Sequence, residues 1–254
     1  MLMVLAACSP PPQPPNAKLW GGLDEGPYKV GFGLRWETDP SRTYGTNPDG
    51  TKRPRPIPVG VWYPARPSPG EFMQVADYFD LRSKQTQFDE LALKLNAQMQ
   101  GAVRKEELDW RTHAKFDAPP AKGPFPVIIY SHGGRGYAEN FVPAEYLASH
   151  GYIVLSTSYH CEDLATVAPC DGTARIRDML FLHRFAAMLG NADASRIGAL
   201  GFGAGADAVA AWGAEKDSPL EVVVRWQKPL DRLAYEQECR ETLRSFDAKL
   251  RVVK

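Results

Sequence analysis

The chain has 254 residues, and its 30 basic and 30 acidic side chains give a formal net charge of zero. With 44% hydrophobic and 24% charged residues it has the composition of an ordinary soluble globular protein with ample core. Balanced charge excludes the long-range attraction that draws a protein to nucleic acid or to anionic membranes. No apolar stretch reaches the roughly 18 to 20 residues that cross a bilayer, which excludes a spanning helix.

The first 27 residues differ from the rest in composition. Residues 1–7 are wholly apolar, Cys8 follows, and the proline-rich start of residues 9–27 predicts a tether. The small residues before Cys8 resemble the end of a bacterial lipoprotein signal, which implies a lipid anchor at Cys8 and export to the periplasm or outer membrane. The apolar stretch is shorter than in such signals and lacks a positive segment before it. A chance apolar start on a soluble protein is therefore the alternative.

The remaining cysteines agree with an exported protein. Cys161 and Cys170 bracket a short loop and are candidates for a disulfide in an oxidising compartment. Cys239 falls on a helical pattern, and we expect it to be a buried small hydrophobic residue.

The first part of the folded region predicts two strands and a helical insertion. Residues 28–36 and 57–63 have β-type patterning and are separated by a loop rich in Pro, Gly, Asn and Asp. Residues 71–115 have apolar side chains close to a 3.6-residue spacing, which predicts helices lying over the sheet edge. These side chains are Phe88, Leu91, Leu93, Leu95 and Met99. The insertion is either a substrate lid or a helix that only packs on the core.

From residue 120 onward strands and helices alternate regularly. The predicted strands are continuous apolar runs, as a parallel sheet covered by helices on both faces requires. The predicted strands are residues 125–130, 152–157, 196–202 and 221–226, and the predicted helices are residues 139–149, 174–189, 204–212 and 230–250. No internal repeat interrupts this order, so residues 28–254 are expected to form a single α/β domain.

One turn in this alternation has the spacing of a nucleophile elbow. In the motif G-x-S-x-G, a serine is exposed at a sharp turn from strand to helix, and the flanking glycines allow close approach of the backbone. Here the turn is Gly201-Phe202-Gly203-Ala204-Gly205, preceded by an apolar strand and followed by a helix of small residues.

Three blocks of sequence carry a wider resemblance. Residues 125–134 resemble a strand with its oxyanion loop, residues 145–152 a helix leading into the next strand, and residues 191–205 the approach to the elbow. Residues 19–212 thus resemble the branch of the α/β-hydrolases that contains dienelactone hydrolases and platelet-activating-factor acetylhydrolases. The resemblance implies an α/β-hydrolase-type, mostly parallel sheet with a helical insertion before the third strand, and carboxylic-ester hydrolysis. In active members a serine stands where this chain has Gly203.

The other members of a catalytic triad are missing as well. In this fold an acid and then a histidine follow the elbow, but the chain's five histidines all precede Gly203. Asp231 is the only candidate acid in a tolerable place, and a helix-start residue is the simpler interpretation of it. The residues after Gly203 suffice for one strand and one helix, so we expect the C-terminal strands of the fold to be missing.

The oxyanion side of the site is retained. His132, Gly133 and Gly134 follow a buried strand, and together with the amide of Ala204 they are candidates for binding an ester or carboxylate. The alternative is that these groups only reflect packing geometry. Ser131, Ser156 and Ser158 have no recognisable base, and the crowded 160–163 segment is a poor metal site because adjacent residues rarely converge on one ion. We expect no cofactor, since no phosphate-binding or dinucleotide-binding loop is present.

Three functional hypotheses follow. The first is an α/β-hydrolase homologue that has lost serine catalysis and retains small-molecule binding. The second is a fragment of a truncated hydrolase gene. The third is an active ester hydrolase that uses another nucleophile or obtains the missing acid and base from a partner chain.

Overall fold

The computed structural model describes residues 13–47, 49–80, 88–99, 105–133, 141–160, 172–227 and 232–251. Cys8, Cys161, Cys170, Gly134 and Asp231 lie outside these residues, and so do the predictions made for them. Within the described part of the chain, no helix combines the length and the apolar character needed to span a membrane.

A seven-stranded, mostly parallel sheet organises the chain. Its strands are β1 (Lys29–Thr46), β2 (Lys52–Ala65), β3 (Ala114–Phe116), β4 (Phe125–Ser131), β5 (Ile153–Thr157), β6 (Ala192–Phe202) and β7 (Val222–Trp226). They lie in the order β3-β1-β2-β5-β4-β6-β7, and β2 alone runs antiparallel to both of its neighbours. The prediction of a mostly parallel α/β sheet is confirmed.

The first two strands are longer than predicted and form an extended hairpin. The proline-rich segment expected to be a loop instead continues β2, with Pro54, Pro56 and Pro58 at alternating positions. Their nitrogens therefore point to the same side of the strand. Because β5 pairs with β2 only from Val59 onward, these three prolines need no backbone N–H donor toward β5. Because Val59 lies opposite Thr157, the last residue of β5, the hairpin projects beyond the carboxyl edge of the parallel strands.

Helices cover both faces of the sheet, as predicted. The helices are α3 (Phe141–Ser149), α4 (Gly172–Ala186), α5 (Ala204–Gly213) and α6 (Arg232–Leu250). One apolar cluster lies between the sheet and the helices α3 and α6, and a second lies between the sheet and the helices α4 and α5. Cys239 of α6 is 1% exposed, which confirms its predicted burial.

The insertion at residues 71–115 is less helical than predicted. It contains one described α-helix, α2 (Asp89–Met99), two short 3-10 helices at Val75–Phe79 and Lys105–Glu107, and the edge strand β3. The strand expected third is therefore the fourth. Leu93, placed on the apolar stripe by its spacing, is 71% exposed, because in a helix it lies two residues from both Leu91 and Leu95, which are buried.

The predicted tether ends earlier than residue 27. A short helix, α1 (Ala17–Trp20), follows the N-cap Asn16, and the side chains of Trp20 and Leu23 are buried in the core. The indole Nε1 of Trp20 donates to Glu145 Oε2 at 3.0 Å, and Tyr78 OH donates to Glu145 Oε1 at 2.7 Å. This buried carboxyl joins the N-terminal segment, the insertion and α3, so residues from Asn16 onward belong to the folded domain.

Candidate functional site

The elbow has the backbone geometry that a nucleophile would occupy. Gly203 stands between β6 and α5 with φ +56° and ψ −123°, a region that strains any residue with a Cβ atom. Gly205 allows the helix to approach β4 closely, because a Cβ there would lie 1.8 Å from the carbonyl oxygen of Ser131. Among the described residues, a Cβ at Gly203 would meet only the Cα of Gly133, at 3.5 Å. The turn therefore has room for a side chain that the sequence does not supply.

The loop after β4 lies against the elbow, as the resemblance implies. A Cβ on Gly133 would come within 2.6 Å of the carbonyl oxygen of Phe202 and 3.2 Å of the Cα of Gly203. Glycine is required at this position because the two backbones touch. The structure thus brings together Gly133, Gly203 and Ala204, the first residue of α5, which is exposed.

The prediction for His132 concerns its backbone N–H group, and its side chain lies in the core. Its imidazole is fully buried, and Nε2 lies 2.9 Å from the carbonyl oxygen of Thr157. Burial, together with the charge of Arg175, lowers the pKa of His132 to about 3, so the ring is neutral. A neutral ring that contacts a carbonyl must donate from Nε2, which leaves Nδ1 as an unprotonated nitrogen, and none of the described residues donates a hydrogen bond to it.

Three of the other four histidines, His113, His150 and His183, lie away from the elbow. His113 stacks on Trp20 and lies 3.5 Å from Glu25, beside β3 at the opposite end of the sheet from β7. His150 Nδ1 lies 2.8 Å from the carbonyl oxygen of Tyr146, and His183 lies in the last turn of α4. In the part of the chain that the structure describes, no contact joins these three imidazoles to Gly203.

The sequence analysis missed a serine–histidine contact at the end of β5. Ser158 Oγ lies 2.7 Å from Nδ1 of His160. Burial and the charges of Arg55 and Arg42 lower the pKa of His160 well below its usual value, which makes it a weak base. Its Nε2 is buried, and no acid among the described residues forms a hydrogen bond with it.

A buried ionic cluster at the same edge was also missed. Arg55 donates from Nε to Asp178 Oδ1 at 3.0 Å and from Nη2 to Oδ2 at 2.8 Å. Arg42 donates from Nη2 to Asp178 at 2.5 Å and from Nε to Asp39 at 2.8 Å. We call these four residues the Asp178 cluster. No local motif signals it, since Arg55 and Asp178 are 123 positions apart.

Arg175 connects this edge to the loop beside the elbow. Its Nη1 donates to the carbonyl oxygen of His132 at 2.8 Å, and its guanidinium lies over the ring of Tyr159 at 5.2 Å. Arg175 is 1% exposed, and it lies in α4, one turn before Asp178. Among the described residues, the charged side chains here pair with one another and with backbone carbonyls.

Among the described residues, no group of three His, Cys, Asp or Glu side chains has the arrangement of a metal site. Three cavities of about 190, 310 and 280 Å³ are lined by other described residues, and Gly133, Gly203 and Ala204 line none of these three.

Comparisons with known proteins address the fold. No family model matches the chain, and no curated protein matches it. A ferulic acid esterase from Streptomyces cinnamoneus is similar to it with a TM-score of 0.58 and 19% identity, over 85% of this chain and 70% of the esterase. A proposed dienelactone hydrolase from Klebsiella pneumoniae has a TM-score of 0.38 and 14% identity, over 78% and 62%.

A puromycin-hydrolysing peptidase from Mycobacterium tuberculosis has a TM-score of 0.40 and 14% identity, over 85% of this chain and 28% of the peptidase. The chain thus spans less than two thirds of the second and third of these structures. At these identities only the similarity to the first structure supports a conclusion, and that conclusion concerns architecture alone. Together with the strand order and the elbow geometry, it shows that the chain has the α/β-hydrolase fold.

Proposed function

We propose that this chain is an ester-hydrolase homologue, similar to dienelactone hydrolases and acetylhydrolases, that has lost serine catalysis and binds a small ester or carboxylate. One observation carries the proposal: the elbow keeps its backbone geometry at position 203, while the residue there is a glycine and supplies no Oγ. Without Oγ no acyl-enzyme forms at this position, and only binding and oxyanion stabilisation remain.

The chemistry left at the elbow is that of main-chain N–H groups. The N-terminus of α5 carries partial positive charge and unpaired amides, which favour a carbonyl or carboxylate oxygen. Gly133 brings a second backbone segment to the same point. Two converging backbone segments polarise an ester carbonyl without cleaving it, so the expected product is a complex and not an acid and an alcohol.

The contact between Ser158 and His160 favours a second candidate function. Under this alternative the chain is an active ester hydrolase with Ser158 as nucleophile and His160 as base. The lowered pKa of His160 weighs against it, and so does the lack of an acid on Nε2 among the described residues.

Intact-mass labelling with a fluorophosphonate ester separates the two functions, because the reagent bonds only to an activated nucleophile. Wild type, Gly203→Ser and Ser158→Ala are labelled in parallel, with Gly203→Ala as the control that adds a Cβ without a hydroxyl. We expect no label on any of them. Label on wild type that is lost in Ser158→Ala would establish the alternative, and label on Gly203→Ser alone would mean that a base is still available at the elbow.

Binding is tested on the same proteins by titration with phenyl acetate. We expect the ¹⁵N–¹H resonances of Gly133 and Ala204 to shift saturably, with the ester intact at the end of the titration. Gly203→Val is expected to block the site, since its branched side chain would fill the space beside Gly133. Shifts that persist unchanged in this variant would contradict binding at the elbow.

A further inference from the structure

A cavity lies between the projecting β1–β2 hairpin and α2. Its volume is about 190 Å³, and its walls include Tyr44, Arg53 and Pro56 from the hairpin and Phe88, Glu90 and Leu91 at the start of the insertion helix. We call it the hairpin cavity. It is separated from the elbow by β5 and β4 in the order of the sheet, so it is a different place from the site proposed above.

Arg53 gives the hairpin cavity an unused cationic donor. None of the described residues accepts a hydrogen bond from its Nε, which is buried although the side chain as a whole is 33% exposed. Its Nη1 lies 3.9 Å from Glu90 Oε2, at the limit of an ion pair, while Glu90 Oε1 accepts from Lys94 Nζ at 3.0 Å. A buried guanidinium N–H without an acceptor costs free energy that an added carboxylate would recover. Arginine suits this role because its planar fork donates two parallel hydrogen bonds to a carboxylate.

Apart from Thr38 and Asn47, the remaining wall of the hairpin cavity is apolar and rigid. Tyr44, Pro56, Phe88 and Leu91 are all buried, and Phe88 is supported from behind by Trp36, whose ring is stacked at 4.9 Å. Proline and aromatic rings lose little conformational entropy when they contact a ligand. A cavity of about 150 Å³ is known to hold one benzene molecule, so the space here suits a single six-membered ring with a small polar group.

We propose that the hairpin cavity binds a small cyclic carboxylate of about the size of benzoate, with its carboxylate on Arg53 and its ring against Pro56 and Phe88. Glu90 lines the same cavity, but its side chain is 56% exposed and paired with Lys94, so water and Lys94 reduce its repulsion of an anion. The hairpin cavity is therefore expected to select ligands that carry one negative charge next to one flat apolar ring. This site does not depend on the function proposed for the elbow.

The test is a titration of the full chain with benzoate, followed by the side-chain Nε–Hε resonance of Arg53. We expect saturable binding that Arg53→Gln weakens about tenfold or more, since hydrogen bonds to charged groups contribute the most. Glu90→Gln is the matched control and is expected to tighten binding by about twofold, because it removes a nearby like charge. Benzyl alcohol, which has the same ring without the charge, is expected to bind wild type at least about tenfold more weakly than benzoate.

Three results would overturn the proposal. They are the absence of saturable benzoate binding at about 20 mM, equal binding by wild type and Arg53→Gln, and equal binding of benzoate and benzyl alcohol. The comparison of the two ligands uses wild type alone, so it decides the matter even if Arg53→Gln does not fold. Benzoate binding that is lost in Gly203→Val and retained in Arg53→Gln would place the carboxylate at the elbow instead.

Discussion

The elbow and the Asp178 cluster lie at the same edge of the sheet but differ in what defines them. The elbow is defined by its backbone conformation, and its central residue, Gly203, has no side chain. In the Asp178 cluster the charged side chains are all present and their carboxylates are paired with arginines or hydroxyls. The difference teaches that the two features depend on different parts of the chain: the elbow depends on backbone conformation at a glycine, and the Asp178 cluster depends on paired, buried side chains.

The largest expected effect is the loss of the central carboxylate of the Asp178 cluster. Asp178→Asn leaves Arg42 and Arg55 buried with one partner charge fewer, and we expect the free energy of unfolding to fall by about 3 to 5 kcal/mol. Urea denaturation measures it. The matched control is Asp193→Asn, which removes a partly exposed pair with Arg196 and is expected to cost less than about 1 kcal/mol. Equal costs for the two variants would show that burial does not govern these pairs.

A smaller effect is expected at the elbow, where two glycines are required for different reasons. Gly205→Ala forces a Cβ to 1.8 Å from a backbone oxygen, so the helix must move, and we expect a loss of about 3 kcal/mol. Gly203→Ala has space and suffers only from its positive φ, with an expected loss of about 1 to 2 kcal/mol. Thermal unfolding of both variants tests this order. The reverse order would mean that the helix does not pack on β4 as closely as described.

The smallest effect concerns the buried carboxyl of Glu145 and depends on pH. Burial raises its pKa, although hydrogen bonds from Tyr78 and Trp20 oppose the shift. A raised pKa in the folded state favours the protonated form, so the contribution to stability is complete below the unfolded value near 4.5 and declines as pH rises through the folded value.

Glu145→Gln keeps the shape of the side chain and cannot ionise. We therefore expect the stability of wild type relative to this variant to decrease from pH 4.5 upward, by no more than about 1.4 kcal/mol per pH unit. Urea midpoints of the two proteins at a series of pH values give the difference directly. A difference that increases with pH would show that the hydrogen bonds from Tyr78 and Trp20 outweigh burial.

The sequence was sufficient for the later half of the sheet and insufficient for the first part. Strands β4 to β7 were predicted within a few residues because each is a continuous apolar run bounded by turn residues. The hairpin was predicted too short, because alternating prolines normally end strands and their fit depends on where β5 stops. The short strand β3 has no signal of its own and exists because β1 offers it an edge.

The same division between features set by local sequence and features set by distant residues applies to the candidate site. Local spacing was enough to recognise the elbow, the glycines that permit its close contacts, and the absence of a serine and of a later histidine, because each depends on a few neighbouring residues. The direction of the His132 side chain, the pairing of Ser158 with His160 and the Asp178 cluster depend on residues that the sheet brings together from distant parts of the chain. These contacts follow from burial, because a charged or polar group in the core needs a partner and the tertiary structure decides which residues lie beside it.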